Sequence, residues 1–405
     1  MRQLKPTEQQ WIFDYSALDN TPSLDDGVTL EEELKKRKVT IEYMRSLALR
    51  ANKLVHPSSP MDAQAIHLRG SLIVGSTLLH RFYMRKSFKD FSEELIASTI
   101  LFLATKIEEE PLKLRHIVNS TIDKFEKSES ARGWYPDHNP NEQPSREYRT
   151  WEKNILACEE VVLETLCFDM GVEQPFTFLL KAVKGLDNDL LGKSNIPVIN
   201  GNRNSNGYSV NGVNGKGKEK ENEKLSESII TELGWTLLFE STLSPLSVLY
   251  AARIIAFVSL VLIISIIDQK PLSESLVNAS ELSEKFDIGL IYNENGDLQG
   301  EDIDCIKACL KDFIRYINEG LIDNNLLRYI VAEAEEARHE PYSRRFVSNR
   351  QQDSAPRQDD EGKQRPVNRE EKTESDVQSN GINQIAVRSG TSNGNDNSDV
   401  EMSAV

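Results

Sequence analysis

The chain has 405 residues, of which 39% are apolar and 28% charged, with a formal net charge of -16. That length allows two domains, or one large domain with unfolded additions, and the modest apolar share favours some unfolded chain. Such an acidic balance is a poor match to nucleic acid, so broad DNA or RNA binding is not expected.

The first fifteen residues, MRQLKPTEQQWIFDY, have no apolar stretch of the secretory kind. From Trp11 the chain runs to a Pro-Asp-Gly turn at 22–27, and from Leu30 the apolar spacing becomes helical. Leu34, Ile41, Met44, Leu47, Ala48 and Ala51 recur on one face until Pro57 and Pro60. A second helix is predicted from Met61 to about Arg85, and a third from Phe91 to Glu109. The third is apolar nearly all round between Leu95 and Leu103, which requires other helices on most of its sides. A fourth follows Pro111 with Leu114, Ile117, Val118 and Ile122. After a proline-rich loop, a fifth spans Arg146 to Leu166, bearing Trp151, Ile155, Leu156, Val161, Val162 and Leu163.

A second block opens at Gln174-Pro175-Phe176 with a helix to about Leu186. Residues 195–224, rich in Asn, Gly and Lys, read as a disordered insertion. Helices are predicted again at Glu227–Thr242, Pro245–Ile267, Ser280–Phe286 and Glu301–Ile317. Residues 338–405 read as a disordered tail. No stretch alternates with strand period, so the class is all-α, built as two five-helix bundles in tandem: 30–172 and 173–330, after an N-terminal segment 1–29. The segment Leu246 to Ile267 is the one to test as a membrane span. Its uninterrupted core from Ile254 is short for a bilayer and Arg253 interrupts the longer version, so a buried core helix is expected and no membrane contact.

Signatures of catalysis are missing. Gly212–Lys218, GVNGKGK, fits GxxxxGK formally, but Glu219 follows where a hydroxyl is needed and no strand precedes it. HRD, DFG, GxSxG, HExxH and calcium-loop patterns do not occur. Cys158, Cys167, Cys305 and Cys309 form no CxxC pair, and the six histidines match no zinc spacing, so no metal or cofactor is predicted and a reducing compartment fits. Cys305 and Cys309 share a helical face and read as core. Met44–Leu49, MRSLAL, likewise reads as core.

The informative string is LFLATKIEEEPLKLRHIV, Leu101–Val118: a buried helix that surfaces at Lys106 and ends in Glu108-Glu109-Glu110. On physics alone such a charge run is a solvated helix end. The string nevertheless resembles the cyclin-box signature of the transcriptional cyclins. HRFYMRKSF at 80–88 resembles the end of that family's second box helix. VVLETLCFDMGVEQPFTFLLK at 161–181 resembles its fifth helix and the approach to its second box, and WIFDYSALDNTPSLDDG at 11–27 resembles the segment before the first. Among members the chain is most similar to the cyclin K, L and T group, and the LETLCFD wording resembles the fungal beta subunit of the RNA polymerase II C-terminal-domain kinase.

The resemblance implies a nuclear regulatory subunit that binds and activates a cyclin-dependent kinase, not an enzyme. It implies Lys106 and Glu159 as kinase-binding residues, with Ile107 and Leu163 as apolar contacts beside them; the bland alternative is that the Lys and the Glu pair with each other or with solvent. The implied substrate of the complex is the C-terminal repeats of RNA polymerase II, and the fungal likeness admits a third, gamma-type subunit. Two other classes fit the helical pattern less well: a cyclin-fold general transcription factor acting as a DNA and protein adaptor, and a membrane-anchored helical protein.

Overall fold

The structure, a computed structural model, describes residues 10–56, 68–128, 130–184, 227–293 and 297–322. The start of the second predicted helix, the insertion 195–224 with its GVNGKGK string, and the tail 338–405 lie outside the described residues.

Local chemistry sets the first five helices. Thr29 caps α1 (Leu30–Val55) by accepting from the Glu32 amide, and Glu31, Glu32 and Glu33 fill the first turn, where the helix dipole favours acids. α2 is Arg69–Tyr83. Ser92 caps α3 (Glu93–Ile107) and Ser145 caps α5 (Arg146–Thr165) in the same way, with α4 (Leu114–Phe125) between them. α3 packs against α1, α2, α4 and α5 and is buried from Ile96 to Leu101. Full burial of each of its large aliphatic side chains is worth about 1.5–3 kcal/mol, so the most apolar helix takes the centre.

The second bundle repeats that logic. α6 is Pro175–Val183, α7 Glu227–Ser241, α8 Ala252–Asp268, α9 Leu272–Ser280 and α10 Ile303–Asn318. α8 contacts α6, α7, α9 and α10, and every residue from Arg253 to Ile267 is buried. Its 17 residues span only about 26 Å at a helical rise, short of a bilayer core. Among the described residues no single helix is long and apolar enough to cross a membrane; the pair α8 and α9 passes such a test only together, bent by 119°.

Three sequence expectations need correction. The helix expected over Pro245–Ile267 is broken: Leu246–Leu249 is one turn, and Tyr250 and Ala251 are extended with ψ of 144° and 146° before α8 begins. Tertiary contacts win over local propensity here. The buried Tyr250 hydroxyl donates to Asp312 on α10, and Arg253 pairs with Asp302 at 3.1 Å. The fourth helix of this bundle is Leu272–Ser280, which buries Leu272, Leu276 and Ala279 at helical spacing. Ser283–Phe286 is only a 3-10 turn. Finally, β1 (Ile291–Tyr292) and β2 (Leu298–Gln299) form an antiparallel hairpin that no alternation signalled, being two residues per strand.

The N-terminal segment ties the bundles together. Trp11 is buried in the first core and Leu18 in the second, and the Phe13 amide donates to the Val248 carbonyl at 2.8 Å. Met44, Leu47 and Ala48 are fully buried, so the MRSLAL stretch is core. Arg45 beside them reaches the Phe239 carbonyl at 2.7 Å and lies 4.0 Å from that ring's centre, joining α1 to α7.

A buried ionic network underlies the same joint. Glu33 and Arg37, one turn apart on α1, both have fully buried side chains and pair at 2.6 Å. The Thr21 hydroxyl donates to the second Glu33 oxygen, and Arg37 Nη1 donates to the His80 carbonyl at 2.9 Å. His80 Nε2 stands 3.0 Å from the Thr242 carbonyl, across the two bundles. Burial, then the Arg37 charge, push the imidazole down to about 3. The ring is therefore neutral, with its proton on Nε2 and its bare Nδ1 towards Arg37.

One close approach is testable at once. A Cβ added at Gly234 of α7 would sit 2.1 Å from Leu179 Cδ2 of α6. Gly234→Ala is expected to destabilise the protein by about 1–2 kcal/mol, overpacking outweighing the helix propensity gained. A urea midpoint equal to or above wild type would contradict this.

Candidate functional site

α3 ends where its chemistry turns. Lys106 occupies the last turn, where a cation suits the dipole. Glu109 then takes a left-handed φ of 58°, and the Glu110 amide returns to the Thr105 carbonyl at 2.9 Å, closing the helix. Of the acidic cluster, Glu108 accepts from Gln174 at 3.1 Å and Glu110 from Ser71 at 3.2 Å. Two of the three carboxylates thus brace the chain itself, and only Glu109 stands exposed.

Lys106 does not reach freely into solvent. Its ammonium pairs with Glu159 on α5, and it lies 4.0 Å from the centre of the Phe102 ring one turn earlier. The Lys106 side chain keeps 38% of its surface and Glu159 keeps 14%. The pair is worth at most about 1 kcal/mol of stability at this exposure. Ile107 and Leu163 are half-buried and pack on the first core, beside the Lys and the Glu respectively. The four residues singled out in the sequence are thus assembled where the end of α3 meets α5, with Lys106 and Glu159 in direct contact.

Two neighbours were not singled out. Phe102 supplies the ring under Lys106. Leu156, counted with the apolar stripe of α5, is not core: it is 47% exposed, on the face that carries Glu159 and Leu163 at i+3 and i+7. The sequence signal was the width of that stripe. The buried side is made by Tyr148, Ile155, Cys158 and Val162, leaving Leu156 outside it. The surface therefore combines a paired Lys and Glu, an aromatic ring and an uncovered leucine.

Nothing in the cysteines competes with this site. Cys158 and Cys309 are buried, and burial pushes the Cys158 thiol up to about 11. Among the described residues no group of His, Cys, Asp and Glu could hold a metal ion.

The family described as "Cyclin, N-terminal domain" matches residues 64–171, a span from before α2 to beyond α5 that contains all four site residues. Residues 64–171 are the part of the chain that is similar to a cyclin N-terminal domain. The chain is 26% identical over 310 residues to Cyclin pch1 of Schizosaccharomyces pombe, covering 76% of this chain and 70% of that relative. It is 27% identical over 180 residues to human Cyclin-T1, covering 44% of this chain but only 22% of that much longer protein. A chain of the yeast TFIIK (Kin28/Ccl1/Tfb3) complex aligns with 77% of this chain at 14% identity and a TM-score of 0.43.

Proposed function

We propose that this cyclin binds and activates a cyclin-dependent kinase through the α3–α5 surface, and that the complex phosphorylates the C-terminal repeats of RNA polymerase II in the nucleus. The observation that carries the reading is the Lys106–Glu159 pair, seated on Phe102 beside the exposed Leu156. The contact between Lys106 and Glu159 already restrains both side chains on packed helices, so less entropy is lost when a partner arrives. Lys106 can donate to helix-end carbonyls of the kinase, and Glu159 can accept amide or basic donors. Leu156 and Leu163 supply apolar surface to bury around those bonds.

Activation follows from differential affinity. A kinase needs its β3 lysine paired with its αC glutamate and its activation loop ordered. A cyclin surface that fits only the active αC position shifts the kinase population towards it. We read α6–α10 as a second cyclin-type box, since its most apolar helix is again third of five and central.

The test begins with a pull-down of the tagged chain from its own cell extract, which also reports any third, gamma-type subunit. With the recovered kinase, Lys106→Ala and Glu159→Ala should each lower activity on C-terminal repeat peptides at least tenfold, a loss of about 1.4 kcal/mol of coupling or more. Their unfolding midpoints should stay within about 1 kcal/mol of wild type. If both variants activate the kinase normally, the site assignment is wrong; if no kinase is recovered, the function is.

A further inference from the structure

A cavity of about 240 Å³ lies between the two bundles, walled by Trp11, Ile73, Arg81, Phe176, Leu246 and Ser247. None of the kinase-facing residues lines it. Its walls are mostly apolar, yet they bury a full positive charge. Arg81 is only 6% exposed. Of its five N–H groups, Nη1 donates to the Gly171 carbonyl at 2.9 Å, and its guanidinium lies 5.1 Å from the centre of the Trp11 ring. Nε is buried with no acceptor among the described residues. The Asp169 charge offsets part of that burial cost but gives Arg81 no hydrogen bond among those described. Asp169 is engaged by Trp11 Nε1 at 2.9 Å and by the Gly171 amide at 3.3 Å. On another wall the Ser247 hydroxyl is also without a partner. The one acidic side chain lining the space, Glu173, is half-exposed.

A desolvated guanidinium with unused donors is costly, and the cost is removed by an acceptor carrying negative charge. Burial already drags the Arg81 guanidinium down to about 10, the mark of that desolvation. Apolar walls with a few convergent polar donors describe a small-ligand site more than a hydrated channel.

We propose that this inter-bundle cavity binds a compact apolar carboxylate, its anion on Arg81 and Ser247 and its hydrocarbon body against Trp11, Phe176 and Leu246. The space suits a body of one or two rings. A carboxylate answers the Arg81 charge, whereas a neutral alcohol of the same shape leaves it unanswered.

The experiment is calorimetric titration of the full chain with 2-naphthoate and, in parallel, with the uncharged 2-naphthalenemethanol. The carboxylate should bind with a Kd at or below about 1 mM, and the alcohol at least tenfold more weakly. Arg81→Gln should abolish that preference. Because this change also alters the bond to Gly171, Ser247→Leu serves as the second variant: it fills the space from another wall and should weaken 2-naphthoate at least tenfold with Arg81 intact. Equal binding of the two probes, no binding of either, or unchanged binding by a folded Ser247→Leu chain would each overturn the proposal. A kinase-activation defect at Lys106 has no bearing on these outcomes.

Discussion

Glu33→Ala should destabilise the protein by about 3–5 kcal/mol, far more than a substitution at an exposed position. The reason is what remains behind. Arg37 is fully buried and gives its strongest bonds to Glu33, at 2.6 and 2.8 Å. Removing the acid strands a guanidinium left with the His80 carbonyl, a long contact to His80 Nδ1 and the Met84 sulfur. Thr21 loses its acceptor in the same step, loosening the N-terminal segment. Urea unfolding of Glu33→Ala, Arg37→Ala and the double variant measures the coupling. The double variant should recover at least about 1 kcal/mol relative to the sum of the singles, since it leaves no buried unpaired charge. Strict additivity, or a single-variant loss below about 1 kcal/mol, would show that the pair is solvated.

The second large effect is on pH. His80 titrates at about 3 when folded against 6.5 ordinarily. Its folded value is depressed, so between these limits the unfolded chain binds the extra proton. The stability tied to the neutral ring is fully present above about pH 6.5 and is lost as pH falls towards 3. The slope approaches 1.36 kcal/mol per pH unit, or about 4–5 kcal/mol over the whole window. Asp312 has the opposite sign, because burial raises its carboxyl and the folded form gains relative stability in acid. Comparison with His80→Gln separates them, since a glutamine amide can still donate to the Thr242 carbonyl but does not titrate. The stability gap between wild type and variant should narrow steadily from pH 6.5 to 4.5. Parallel curves would mean that water reaches the imidazole.

How much was legible beforehand depended on whether a feature is local. α1, α3 and α5 carry their own signals, in Thr29, Ser92 and Ser145 as caps and in apolar spacing that needs no partner to be recognised. The break at Tyr250–Ala251 has no such signal. It exists because Asp312 and Asp302, some fifty to sixty residues later, claim Tyr250 and Arg253. The α9 helix was obscured by its short length, although Leu272, Leu276 and Ala279 had the right spacing. The site divides the same way. Lys106 was visible as the point where a buried helix surfaces, but spacing alone cannot bring it to Glu159 across 53 residues; only resemblance to cyclins joined them. Leu156 looked like core because periodicity reports which face is apolar, not how much of that face finds a partner.

The hydrogen bond from Phe13 to Val248 has a consequence in time. These residues are separated by most of the described chain, so the contact cannot form until the first bundle and the start of the second, as far as Val248, have been synthesised. As the protein emerges, the first five helices can pack soon after α5 is complete, while the residues around Phe13 lack their second-bundle seat. Contacts of such long sequence separation close late, because the chain between them must be ordered first. A segment translated before both bundles is therefore among the last to be fixed, and a pause between the two bundles would prolong its exposure.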